Sequence, residues 1–149
     1  MGEHWDVVGH QALAQIGYPW QSLLPGWKIE FLAGRSGLLG GTWTYEKRIE
    51  IYVRNGQEAE EVAFTLAHEI GHAVDVTYLS DSERDAWRSA RVIDSSVPWW
   101  VASGATDFAS GAGDWAESFA VWQTGGWSHS RVGGQPSKDQ LALMARLAR

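Results

Sequence analysis

Apolar residues return every three or four positions at Ala63, Leu66, Ala67, Ile70 and Val74, the spacing of one buried helix face. Thr65, His68, Glu69 and His72 fall on the opposite side, so this helix turns a polar set toward a cleft. It follows Gln57, and Glu58, Glu60 and Glu61 suit its positive N-terminal end. Gly71 lies within the helix, where glycine costs about 1 kcal/mol relative to alanine, so close packing or a site constraint is expected there.

Helical spacing recurs over 6–16 at Val7, Val8, Ala12, Leu13 and Ile16, with Asp6 as the N-cap. Gly17-Tyr18-Pro19-Trp20 breaks that helix, and Leu24-Pro25-Gly26 makes a turn. Another helix is expected from Asp81 or Ser82 through Ile93, charged outside at Glu83, Arg84, Asp85, Arg88 and Arg91. A third opens at Gly113-Asp114 and is stopped by Gly125-Gly126. The last begins at Pro136-Ser137-Lys138-Asp139 and offers Leu141, Leu143, Met144, Leu147 and Ala148 for burial.

Period-two alternation predicts strands at Trp27 to Leu32, Thr42 to Tyr45 and Arg48 to Arg54. In the last, Ile49, Ile51 and Val53 share one face, and Glu50, Tyr52 and Arg54 the other. Glu46-Lys47 turns between the second and third strands, although it is not a preferred hairpin dipeptide. The glycine-rich stretch 34–41 reads as a loop, as does 127–135, and 94–113 is the longest irregular segment. The sum is one α+β domain spanning residues 1–149. A small mixed or antiparallel sheet packs on the long helix, and a mostly helical C-terminal half follows. If the strand before that helix, or a neighbour, is an exposed edge, it can hold an extended peptide by main-chain bonds.

Composition narrows the chemistry. With 149 residues the chain is long enough for one self-supporting core. It has no cysteine, which removes disulfides, thiolate metal ligands and a thiol nucleophile. A formal charge of −6 argues against nucleic acid or an anionic membrane as partner. No apolar run reaches the length of a membrane span, and the acidic, polar opening Met1-Gly2-Glu3-His4-Trp5-Asp6 does not resemble a secretory signal. Ten tryptophans are expected mainly in the core and cleft walls; Trp99-Trp100 is the adjacent pair that suits an exposed wall.

His68-Glu69-Ile70-Gly71-His72 carries the sharpest chemical signal. Histidines four apart on a helix stand one above the other and can direct ring nitrogens at one point. Two imidazoles suit Zn2+, although cobalt or nickel accepts similar donors. Glu69 is placed to take a proton without binding the metal. A hydrolytic zinc site needs a third protein ligand. The metzincin pattern is absent, because Tyr78 and Asp75 occupy its third-ligand and glycine positions. Glu117, in Asp114-Trp115-Ala116-Glu117-Ser118-Phe119-Ala120, is the favoured candidate, with Asp107, Asp114 and His129 as alternatives. Asp75 and Asp114 are expected to accept a hydrogen bond from a ligand histidine and orient it.

These two helical segments resemble the small gluzincin metallopeptidases, especially the lethal-factor and Pro-Pro endopeptidase type. The resemblance covers about residues 27–124. It implies a zincin-like fold, zinc on His68, His72 and Glu117, Glu69 as general base, and hydrolysis of a peptide or protein substrate. Val121 stands where that family often has an aspartate, and no tyrosine follows Tyr78 to serve as the family's oxyanion stabiliser. Tyr45, Tyr52, Tyr78 and His129 are the side chains available for that task. Two other readings stand beside this one. The first is a regulatory protease with a single target, held latent by residues 1–20 through His4 or Asp6. The second is a non-catalytic metalloprotein whose tryptophan-walled cleft binds peptide or glycan, against which an intact Glu69 argues.

Overall fold

A computed structural model describes residues 3–101 and 107–149. The chain is α+β. Its elements run α1 (His4–Leu13), α2 (Trp20–Leu23), β1 (Lys28–Ala33), β2 (Gly40–Trp43), β3 (Arg48–Val53), α3 (Ala59–Tyr78), α4 (Asp81–Arg91), α5 (Gly111–Thr124) and α6 (Lys138–Leu147), with a 3-10 turn at Asp107–Ala109.

The sheet is mixed. β3 is its centre, paired in parallel with β1 and antiparallel with β2. Ile29 and Phe31 of β1 lie in register with Ile49 and Ile51 of β3, which brings their side chains to one face under the helices. On the other face Arg48 donates to Glu50 at 3.1 Å and Tyr52 donates to Glu50 at 2.7 Å. The strand preceding the long helix is therefore internal, and β1 and β2 are the edges; β2 is the one beside α3. It begins two residues earlier than the alternation suggested, inside the glycine-rich stretch, because Gly40 and Gly41 pair with Ile51 and Glu50. Lys47, at φ 50°, closes the turn into β3.

Helix α3 is the structural axis. Its apolar stripe of Ala63, Leu66, Ala67, Ile70 and Val74 is fully buried. It packs on β2 and β3 on one side, and α5 crosses it on another. That crossing explains Gly71. A Cβ there would stand 2.9 Å from the Phe119 Cβ and 3.0 Å from the Ala116 Cα, so the helices meet at backbone distance. Trp115 Nε1 also donates to the Gly71 carbonyl at 2.9 Å. Gly71→Ala should therefore cost about 1–3 kcal/mol through overpacking, despite its higher helix propensity. Urea titration is the check, and a variant as stable as wild type would contradict the close crossing.

Several boundaries differ from the sequence expectation for local reasons. Asp6 lies in the first turn of α1, not at its cap. Ser80 caps α4 in a capping box with Glu83, in place of Asp81 or Ser82. Ser110 caps α5, so that helix starts two residues before Gly113, and Gly125 ends it at φ 77°. Trp87 and Trp115 are fully buried, Trp99 is buried, and Trp100 and Trp127 are exposed at 50% and 75%. The Trp99-Trp100 pair is thus split between core and surface.

Candidate metal centre

His68 and His72 both face the cleft between β2 and α5, as their four-residue spacing on α3 requires. Their Nε2 atoms stand 3.2 Å apart. Asp107 Oδ2 meets both, 2.6 Å from His68 Nε2 and 2.8 Å from His72 Nε2. The three ligand atoms lie within 4.8 Å of one another. Two imidazole nitrogens bound to one tetrahedral zinc at about 2.0–2.1 Å are themselves roughly 3.3 Å apart. The donor set and the Nε2–Nε2 spacing suit such an ion, while Asp107 Oδ2 stands at hydrogen-bond distance from both nitrogens and would have to draw back to share one.

The carboxylate of Glu117 is also present, on the other side of the ring. Glu117 Oε2 is 2.7 Å from His68 Nδ1, and both residues are buried. Glu117 Oε1 accepts from the His129 backbone N–H at 2.6 Å and lies 2.8 Å from His129 Nδ1. Glu117, the favoured third ligand, thus meets His68 at Nδ1, and the alternative Asp107 is the carboxylate that meets both Nε2 atoms and could share a metal ion with them. A carboxylate on Nδ1 leaves Nε2 as the nitrogen free for a metal.

The charges follow this geometry. Burial alone would lower the His68 pKa, but hydrogen bonds to Asp107 and Glu117 outweigh it and push it up to about 10. Asp107 and Glu117 are partly desolvated, which favours their neutral forms. Hydrogen bonds to His68, and for Asp107 also to His72, nevertheless hold both carboxyls below their ordinary values. An incoming cation at the Nε2 atoms would displace the Nε2 proton of His68 and take over Asp107, while Glu117 keeps the Nδ1 proton.

Asp107 reaches the site through the start of α5. Its backbone carbonyl accepts from Ser110 Oγ at 3.0 Å, and Ser110 Oγ accepts from the Gly113 N–H at 3.0 Å. A Cβ on Gly113 would fall 1.6 Å from that carbonyl oxygen. Glycine at 113 is therefore what allows the turn carrying Asp107 to lie against the helix. Asp107 is the one carboxylate between Pro98 and Gly113, a signal available in the sequence but outranked by the Ala-Glu-x-Phe-like helix.

Asp75 and Asp114 do not touch a ligand histidine. Asp75 accepts from Arg84 Nε at 2.9 Å and Trp99 Nε1 at 2.8 Å. Asp114 accepts from Arg91 Nε at 2.9 Å and Nη2 at 2.7 Å, from Trp87 Nε1 at 3.0 Å and from Ser130 Oγ at 2.7 Å. Both carboxylates are satisfied by guanidinium and indole donors. They fasten α3 and α5 to α4, and Asp114 also holds the loop that carries His129.

Two cavities meet at the cluster. One, of about 510 Å³, is lined by Leu38, Leu39, Phe64, Phe108 and His129 beside His68, Glu69, Asp107 and Glu117. The other, of about 290 Å³, is lined by Thr42, Thr44, Val76, Trp100 and Val101 beside Glu69, His72 and Asp107. Of the four side chains available as oxyanion stabilisers, His129 lines this cleft. Tyr45 is fully exposed, Tyr52 bonds Glu50, and Tyr78 bonds the Leu23 carbonyl. Helix α1 packs on β1, β3 and α3, and Asp6 faces His10 at 3.3 Å. No family model, curated protein or solved structure matches the chain.

Proposed function

We propose that this protein is a zinc-dependent peptidase of zincin-like fold, with His68, His72 and Asp107 as the metal ligands and Glu69 as general base. The reading rests on one observation above all. His68 Nε2, His72 Nε2 and Asp107 Oδ2 converge within 4.8 Å at the junction of two open cavities, with Glu69 beside them. The gluzincin resemblance is kept in the histidine pair and the glutamate base, and altered in the third ligand.

Each side chain then has a task. His68 and His72 present neutral Nε2 atoms, and Asp107 supplies the negative oxygen. Glu117 holds the Nδ1 proton of His68, and the His129 N–H fixes Glu117 in turn. Zinc, when bound there, acidifies a water and polarises the scissile carbonyl. Glu69 accepts the proton of the attacking water and passes it to the leaving amine. The outer edge of β2, which pairs with no strand among the described residues, runs beside the cluster, since Gly40 lines one cavity and Thr42 the other. An extended peptide lying along that edge would cross the metal site, held by main-chain bonds. The flanking walls of Leu38, Leu39, Phe64, Phe108, Val76 and Trp100 suit apolar side chains.

Glu69→Gln tests the base. The variant should retain one zinc by native mass spectrometry yet lose peptide hydrolysis, on the order of 10²- to 10⁴-fold. Unchanged turnover in a zinc-loaded sample would remove Glu69 from this role. Zinc binding with no cleavage across a broad peptide library, in the wild type itself, would leave a metal-containing binding module in place of an enzyme.

A further inference from the structure

Glu69 is buried to 9% exposure, and its carboxylate has one hydrogen-bond donor among the described residues. That donor is Thr42 Oγ1, 2.8 Å from Glu69 Oε1 and 3.1 Å from the Glu69 carbonyl oxygen. A hydroxyl has a single proton; the nearer and charged acceptor is the stronger one. We propose that Thr42 is a positioning residue for the general base, holding Glu69 Oε1 so that the other carboxylate oxygen is presented to the cleft.

The inference rests on the hydrolase reading and adds to it the element that controls the base. Strand register decides which side chain meets Glu69. Thr42 is paired with Ile49 and Gly40 with Ile51, so both point to the helical face that buries those isoleucines. Gly41 and Trp43 point the other way. Gly40 leaves no side chain to compete for this space, since its Cβ would stand 3.0 Å from Ile51 Cδ1 and 3.3 Å from Thr65 Cγ2. The edge strand thus brings one hydroxyl to the base, and the strand's free edge is where a peptide would dock. A carboxylate without that donor would be free to rotate about its last torsion, and proton transfer requires the oxygen within about 2.6–3.2 Å of its partner.

Thr42→Val preserves shape and β-propensity while deleting the donor, and Thr42→Ser restores it. With zinc bound, Thr42→Val should lower kcat by about 10- to 100-fold, the loss typical of a misplaced catalytic group. Its KM should stay within about twofold, and Thr42→Ser should recover most of the rate. Crystal structures of the metal-free variants give a reading independent of turnover. The Glu69 carboxylate should remain on residue 42 in Thr42→Ser and be rotated or split in Thr42→Val. An unmoved Glu69 in Thr42→Val overturns the inference, as does a kcat within twofold of wild type. A raised KM with unchanged kcat, or loss of zinc, would make Thr42 a substrate or structural contact and also overturn it. If the valine variant does not fold, Thr42→Ala takes its place with the same outcomes. Zinc-loaded wild type without turnover would sink the hydrolase reading itself, while the crystallographic arm would still report whether Thr42 holds Glu69.

Discussion

Asp107→Ala is expected to weaken zinc binding far more than Glu117→Gln. In structural zinc sites with four protein ligands, about 10–16 kcal/mol of binding is roughly 2.5–4 kcal/mol per ligand, which sets the expected loss for the aspartate at roughly 100- to 1,000-fold in affinity. Glu117 touches the far nitrogen of His68, and glutamine still offers an oxygen to the Nδ1 proton. Its loss should be about tenfold, the low end for an outer partner. Asp107 is 31% exposed at its side chain, so the alanine variant should fold normally, whereas Glu117 is buried. Competition against a zinc-binding dye orders the two variants directly. The reverse order would return Glu117 to the metal and make Asp107 a bystander.

The largest stability loss should come from Asp114→Ala. Arg91 and Asp114 are 5% and 0% exposed and joined by two hydrogen bonds, and Trp87 and Ser130 donate to the same carboxylate. Deleting the acid leaves a buried guanidinium without its counter-charge, a loss of about 3–5 kcal/mol. Removing both charges as Arg91→Met with Asp114→Leu should recover part of that loss, because no unpaired charge then remains. Urea unfolding of the single and double variants measures the coupling. A single-variant loss below about 1 kcal/mol would mean that the pair is not what fastens α4 to α5. Asp114 also anchors Ser130, so the loop bearing His129 should loosen in the same variant.

Much of this architecture is legible along the chain. The five-residue stripe from Ala63 to Val74 specifies both the helix and its buried side, because a 3.6-residue period allows one apolar face. That period also determines that His68 and His72 point together and that Glu69 lies beside them. Alternation in Arg48 to Val53 identifies β3 in the same way. Gly125 marks the end of α5, a position that demands a left-handed residue.

What the sequence left open was set by distance between segments. Whether Glu117 reaches Nδ1 or Nε2 of His68 depends on how closely α5 crosses α3, which Gly71 and Ala116 decide by contact. Asp107 reaches the histidine pair through Ser110 and Gly113, three-residue geometry with no periodic signature. Asp75 lies close to His72 in sequence and Asp114 close to Glu117, yet arginines and tryptophans from other elements satisfy them first. Which strand is internal depends on β1 pairing in parallel with β3, a long-range choice that period-two alternation does not encode. The sequence by itself determined the long helix, its histidine pair and the glutamate beside them. Tertiary structure alone decided which carboxylate meets the histidine pair, because such a meeting needs atoms within about 3 Å and local periodicity orients side chains only within their own element.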